Sequence, residues 1–139
     1  MKKNIDLSIV IINFGDTKEY TLNCIKSLYQ ALVGVNFEII LVDNLSKDGL
    51  KEEIKRNYKD IVYIRKDKAF NFSQNNNFGY EASSGKYVLF LNNDTEVEGG
   101  SVFKEIIDWL DKNKKIGVAT TALLNSDRKT YQGSGGSFP

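Results

Sequence analysis

Short apolar runs alternate along this chain with segments in which apolar residues recur every three or four positions. Leu7 to Asn13 reads Leu-Ser-Ile-Val-Ile-Ile-Asn, Phe37 to Val42 reads Phe-Glu-Ile-Ile-Leu-Val, and Tyr87 to Leu91 reads Tyr-Val-Leu-Phe-Leu. Near-continuous aliphatic runs of this length predict strands buried on both faces. Ile61 to Arg65 and Ile116 to Thr120 predict two shorter strands. Between them, Tyr20, Cys24, Ile25, Leu28 and Leu32 recur at helical spacing and predict a helix over Thr17 to Leu32, with Asp16 or Thr17 as its cap. Leu50, Ile54 and Tyr58 fall four apart and predict a helix from Gly49 to Tyr58, capped by Asp48. Phe72 to Ser84 reads as a helix stopped by Gly85 at its C′ position. Val102, Phe103, Ile106 and Leu110 predict a last helix, and the chain from Gln132 onward reads as loop. Strands alternating with helices imply one α/β domain with a mainly parallel sheet over residues 1–139.

Composition narrows the chemistry. The chain contains no histidine, which excludes Ser-His-Asp and Cys-His catalysis within it and any imidazole metal site. A bound metal must then be held by oxygen, which favours Mg²⁺ or Mn²⁺ over Zn²⁺. The single cysteine, Cys24, rules out an internal disulfide and reads as a small buried hydrophobe. A formal net charge of +1 offers no field to capture nucleic acid. The apolar runs are too short to span a bilayer, and the first residues lack the apolar stretch of a signal peptide. The expected setting is cytoplasmic, with peripheral association at the inner face of a membrane compatible with it.

In an open α/β sheet, ligands bind beyond the carboxyl ends of the strands. The first strand is followed by Asn13-Phe14-Gly15-Asp16, the second by Asp43-Asn44, and the fourth by Asn92-Asn93-Asp94-Thr95-Glu96. These three polar clusters are expected on one edge. No strand is followed by G-x-G-x-x-G. Gly79 to Lys86 is a poor P-loop: five residues separate its glycines, Tyr87 follows the lysine, and a strand rather than a helix comes next. A pyrophosphate here would need a cation, held by a carboxylate at a strand end.

Four segments in order resemble family-2 glycosyltransferases of the GT-A fold, particularly their rhamnosyltransferase-like bacterial members. They are Ile9-Val-Ile-Ile-Asn-Phe14, Val42-Asp-Asn-Leu-Ser-Lys-Asp-Gly49, Phe70-Asn-Phe-Ser-Gln-Asn-Asn-Asn-Phe-Gly79, and Tyr87-Val-Leu-Phe-Leu-Asn-Asn-Asp-Thr-Glu96, which leads into a D-x-D-like motif. The resemblance implies a Rossmann-like three-layer sandwich and inverting transfer of a sugar from a UDP- or dTDP-linked donor. The acceptor would be a hydroxyl of a glycan or lipid-linked substrate in polysaccharide or cell-surface glycan synthesis. It also implies roles for residues. Asp43 would bond the nucleobase; Asn13 and Phe14, with the adjoining loop, would line the base and ribose pocket. Asn76 and Asn77 would face the nucleotide. Asn92 and Asn93 would lie beside it, and Asp94 would bind the divalent ion on the diphosphate. Two positions depart from the family: Asn92 brings no charge where D-x-D has its first carboxylate, and Asn76 stands where many members carry Arg. The family's general base belongs to an acceptor-binding half downstream of the D-x-D strand. The chain ends at Pro139, where that half would be starting, so a truncated, nucleotide-sugar-binding part with poor transfer is expected. The rival readings are a nucleotidyltransferase, which would need a Gly-rich basic loop after the first strand, and a receiver-like binding module, which would need an acidic pair there.

Overall fold

The computed structural model describes residues 4–133. The chain divides into two compact units, one ending at Ile107 and the other starting at Asp108. The first unit contains β1 (Leu7–Phe14), α1 (Lys18–Ala31), β2 (Phe37–Asn44), α2 (Leu50–Asn57), β3 (Val62–Arg65), α3 (Phe72–Glu81) and β4 (Tyr87–Asn92). Helix α4 (Val102–Lys112) begins in the first unit and ends in the second. The second unit holds a small antiparallel pair, β5 (Leu123–Leu124) and β6 (Tyr131–Gly133).

Strand β1 is central in a four-stranded sheet of order β3-β2-β1-β4, and every pairing is parallel. Seven of its eight residues are buried, as the unbroken aliphatic run predicts. Alternate side chains feed opposite faces. On one face Ile9, Ile11, Ile39 and Leu41 pack with Cys24, Ile25 and Leu28 of α1, Leu50 and Ile54 of α2, and Phe103 and Ile107 of α4. On the other, Val10, Ile12, Ile40 and Val42 form a smaller cluster, covered by α3. Each aliphatic side chain buried this completely contributes about 1.5–3 kcal/mol. The result is the expected three layers.

Helix α3 reaches the sheet because residue 79 is glycine. A Cβ there would stand 2.2 Å from Cγ1 of Val10. The start of α3 is fixed by a capping box: Asn71 accepts from the Gln74 backbone (2.9 Å), and the Gln74 side chain accepts from the Asn71 N–H (3.2 Å). Asp48 serves two helices at once. Its carboxylate accepts from Lys18 N–H at the start of α1 (2.7 Å) and from Leu50 N–H at the start of α2 (3.3 Å).

Several sequence expectations need correction. No strand forms over Ile116 to Thr120; those residues are exposed and pair with no other strand among the described residues. Their apolar content alone does not make a strand without a ladder partner. Helix α3 stops at Glu81, so Gly85 is not its C′ residue; a Cβ at Gly85 would lie 2.6 Å from the Ser8 backbone nitrogen, so that glycine admits a close backbone approach. Tyr20 is exposed, and the buried stripe of α1 begins at Thr21. Thr17 sits at the N-cap position but its hydroxyl makes no cap bond, and Asp16 instead accepts from Lys47 N–H (2.6 Å). The tail expected as loop from Gln132 begins within β6, and residues 134–139 lie outside the described residues. No helix among the described residues is long and apolar enough to cross a membrane.

Candidate functional site

The parallel registers bring the polar strand ends together. Asn13 pairs with Asp43 across β1 and β2, and Ile12 with Asn92 across β1 and β4. From β1 the chain builds outward through β2 to β3, then crosses to place β4 on the other side of β1. A crevice at such a reversal is where open α/β sheets bind ligands.

Asp43 is 1% exposed, and both of its oxygens are engaged by the protein. Oδ1 accepts from Ser46 N–H (2.9 Å) and, more weakly, from Asn13 Nδ2 (3.5 Å). Oδ2 accepts from the Tyr63 hydroxyl and from Arg65 Nη1 (2.5 Å). Burial by itself raises a carboxyl pKa. Here the donors from Tyr63 and Ser46 and the Arg65 charge outweigh burial and hold Asp43 below the ordinary carboxylate range. The same contacts act oppositely on Tyr63, whose phenol is pushed up by burial and by its bond to Asp43. Arg65 also donates to the Ser46 carbonyl (2.9 Å) and lines an open cavity of about 420 Å³ with Ser46, Lys47, Lys51 and Glu52. Tyr63 and Arg65 went unread in the sequence. The available signal was the period of two in β3, which puts residues 63 and 65 on one face beside Leu41 and Asp43.

Asn13 is fully buried and its amide is spent within the protein. Nδ2 donates to the Gly15 carbonyl (2.8 Å), while Oδ1 accepts from the hydroxyls of Thr17 (3.0 Å) and Thr21 (2.6 Å). Phe14, by contrast, is 65% exposed, and its ring is open to solvent at the strand end.

Asn92, the last residue of β4, and Asp94, just past it, are exposed, and Asn93 is half-buried. Asn93 turns inward, donating to Thr17 Oγ1 (2.8 Å) and Thr21 Oγ1 (3.0 Å). The charges of Asp94 and Glu96 both reach Cys24, whose thiol is pushed up to about 12 by burial first and by those two carboxylates second. Among the described residues no three His, Cys, Asp or Glu side chains group to hold a metal ion. Asp94 presents one exposed carboxylate, a hard oxygen donor of the kind that suits Mg²⁺ or Mn²⁺ where other ligands, such as phosphates and water, supply the rest of the shell.

The asparagine-rich start of α3 is largely engaged in building that helix. Asn75 is buried and donates to the Phe70 carbonyl (3.0 Å), and Asn76 donates to the Phe72 carbonyl (3.0 Å). Asn44 pairs twice with the Phe70 backbone (2.9 and 3.1 Å), tying the end of β2 to the entry of α3. Asn77 is exposed, and of the two asparagines expected to face a ligand it is the one not bonded into its helix.

The sequence profile of glycosyl transferase family 2 matches residues 8–135. The minor teichoic acid biosynthesis protein GgaB of Bacillus subtilis (strain 168) is 28% identical over 133 residues, covering 91% of this chain and 14% of that protein. The O-antigen biosynthesis protein RfbC of Myxococcus xanthus is 30% identical over 117 residues, covering 83% of this chain and 9% of that protein. The chain thus spans a small part of either relative. Among solved structures, S. aureus TarS 1-349 in complex with UDP-GlcNAc has a TM-score of 0.69 at 16% identity, covering 79% of this chain and 32% of that one. The mannosyltransferase PcManGT from Pyrobaculum calidifontis, in complex with GDP-Man and Mn²⁺, has a TM-score of 0.67 at 13% identity, covering 78% and 33%. These structural likenesses establish the fold, the GT-A arrangement expected from the sequence. With that fold in place and the profile matched across nearly all the described residues, the chain belongs to glycosyl transferase family 2.

Proposed function

We propose that this chain binds a nucleoside-diphosphate sugar at the carboxyl edge of its sheet, as the donor-binding part of an inverting glycosyltransferase. The product would be a polysaccharide or cell-surface glycan, and the acceptor a hydroxyl of a glycan or lipid-linked substrate. The observation that carries this reading is the convergence of Asn13, Asp43 and the Asn92–Asp94 loop at the reversal in strand order, in a chain of this family. TarS and PcManGT are held in complexes with UDP-GlcNAc, and with GDP-Man and Mn²⁺. A nucleotide sugar with a divalent ion is therefore the natural ligand class to test.

In this reading Asp94 would hold Mg²⁺ or Mn²⁺, and a bound ion would supply Lewis-acid stabilisation of the negative charge on a departing nucleoside diphosphate. Phe14 offers an exposed ring at the base and ribose side, and Asn77 and Asn92 offer free amides at the rim. Asp43 contributes an anion held in one orientation by Tyr63, Arg65 and Ser46. With both oxygens occupied, it contacts a base only by sharing a lone pair or by exchanging one partner. No described residue is assigned as the general base. The chain is expected to bind such a donor.

Calorimetric titration with UDP, dTDP and GDP, with and without Mn²⁺, tests the proposal. UDP or dTDP is expected to bind, more tightly with metal. Asp94→Ala should remove the metal dependence and leave the unfolding midpoint unchanged, since its side chain is exposed. If no nucleotide binds, the donor-binding role fails; if binding ignores metal, the role of Asp94 fails.

A further inference from the structure

Thr21 is fully buried in the stripe of α1 that also carries Cys24, Ile25 and Leu28. Valine would fill the same volume there, and a buried hydroxyl without a partner costs about 1–3 kcal/mol. Its hydroxyl lies within 3.3 Å of the Thr17 carbonyl in its own helix and has two shorter contacts outside it. It donates to Asn13 Oδ1 (2.6 Å) and accepts from Asn93 Nδ2 (3.0 Å). Thr17, one turn earlier, repeats the pattern, donating to Asn13 Oδ1 (3.0 Å) and accepting from Asn93 Nδ2 (2.8 Å). Two amides from two strand ends are thus closed into a ring by two hydroxyls of one helix. The backbone ladder between β1 and β4 ends at Ile12 and Asn92. Asn93 is the first residue past it and Asp94 the next. On the far side, Asn13 Nδ2 continues to Asp43 Oδ1 (3.5 Å).

We propose that Thr17 and Thr21 are positioning residues for Asp94: through Asn93 they hold the loop after β4 at a set spacing from Asn13 and Asp43. This inference rests on the nucleotide-binding reading for its functional consequence and on the ring alone for its structural one. A ligand that spans from a base near Asp43 to a metal at Asp94 needs that spacing maintained, because displacing either end by an ångström weakens both contacts together. Asn93 itself is then an internal strut, with its amide nitrogen committed to the two threonines.

The test compares Thr21→Val, which keeps the shape and removes the hydroxyl, with Thr21→Ser, which keeps the hydroxyl. Amide hydrogen exchange at residues 93–96 reads the strut directly. Loss of two hydrogen bonds is expected to speed exchange there by about tenfold in Thr21→Val, with β2 unchanged and with near-normal rates in Thr21→Ser. UDP titration with and without Mn²⁺ reads the consequence. The affinity gain on adding Mn²⁺ should fall by about fivefold in Thr21→Val while metal-free affinity stays within about twofold, and Thr21→Ser should restore the gain. A role confined to stability would weaken both conditions alike. If Thr21→Val does not fold, Thr17→Val, at the half-buried start of α1, carries the same expectations. Unaltered exchange at 93–96 in these variants overturns the strut whatever the nucleotide result. If the wild type binds neither UDP nor dTDP while exchange responds as expected, the nucleotide reading falls and the strut stands.

Discussion

A carboxylate withdrawn from water must be repaid by donors or it takes up a proton. Asp43 meets that condition with four of them. Because its pKa in the folded protein lies below the ordinary value of about 3.9, its ionised form adds stability at neutral pH. That contribution is complete above the unfolded value and is lost as pH falls through the folded one. Tyr63→Phe removes a donor and brings the folded pKa back up, so acid unfolding followed by circular dichroism should begin at a higher pH than in the wild type; an unmoved transition would refute the assignment. Asp43→Asn should abolish this component and cost about 2 kcal/mol in urea unfolding at pH 7, since Tyr63 and Arg65 lose a charged acceptor. The environment of Cys24 leads to a different expectation. A thiol pushed up to about 12 and fully buried stays protonated, so a disulfide reagent should label it only at the rate of unfolding. Rapid labelling in native buffer would contradict the buried placement. At this scale the sequence was partly legible. Asp43 and Asp94 stand out after apolar strands, whereas Tyr63, Arg65, Thr17 and Thr21 become visible only when register and helix phase join residues tens of positions apart.

Gly79 is the clearest case of an element being placed by one atom's absence. Gly79→Ala would set a methyl within 2.2 Å of Val10 Cγ1, and overpacking of this kind costs about 1–3 kcal/mol. Adding Val10→Ala should recover part of the loss, measurable as a coupling in a double-mutant cycle; strictly additive effects would show that α3 does not rest on Val10. The elements themselves were mostly readable, because a strand buried on both faces has an unbroken apolar run and a half-buried helix has a stripe. The exceptions have physical causes. Residues 116–120 carry strand-forming side chains but have no ladder among the described residues. Tyr20 matches the helical period but lies at the edge of the stripe, with its ring exposed. Gly85 sits where a C′ glycine would, yet its absent Cβ serves Ser8. Asn76 reads as ligand-facing in a motif with Asn77, and the helix uses its amide itself, as a donor to the Phe72 carbonyl.

For the molecule as a whole, binding to the folded state alone raises stability by mass action, about 2.7 kcal/mol at a ligand concentration one hundred times Kd. Scanning calorimetry with UDP should therefore show a midpoint that climbs with nucleotide and climbs further with Mn²⁺, and Asp94→Ala should lose the second increment only. The two units should also differ in protection. Residues 113–133 are all exposed, so amides of 116–122 should exchange within seconds while those of β1 exchange only on global opening; slow exchange at 116–122 would mean a partner for that segment. The strand order has a further consequence, for the way the chain assembles during synthesis. Leu7 meets Phe37 after thirty residues but Tyr87 only after eighty. Because the entropy of closing a loop rises with its length, and the amino-terminal portion leaves the ribosome first, β1, β2 and β3 can associate before β4 exists. The pocket around Asp43 would then be built first and wait, its Asn13 amide oxygen and two threonine hydroxyls in place, for Asn93 to arrive and bring Asp94 with it.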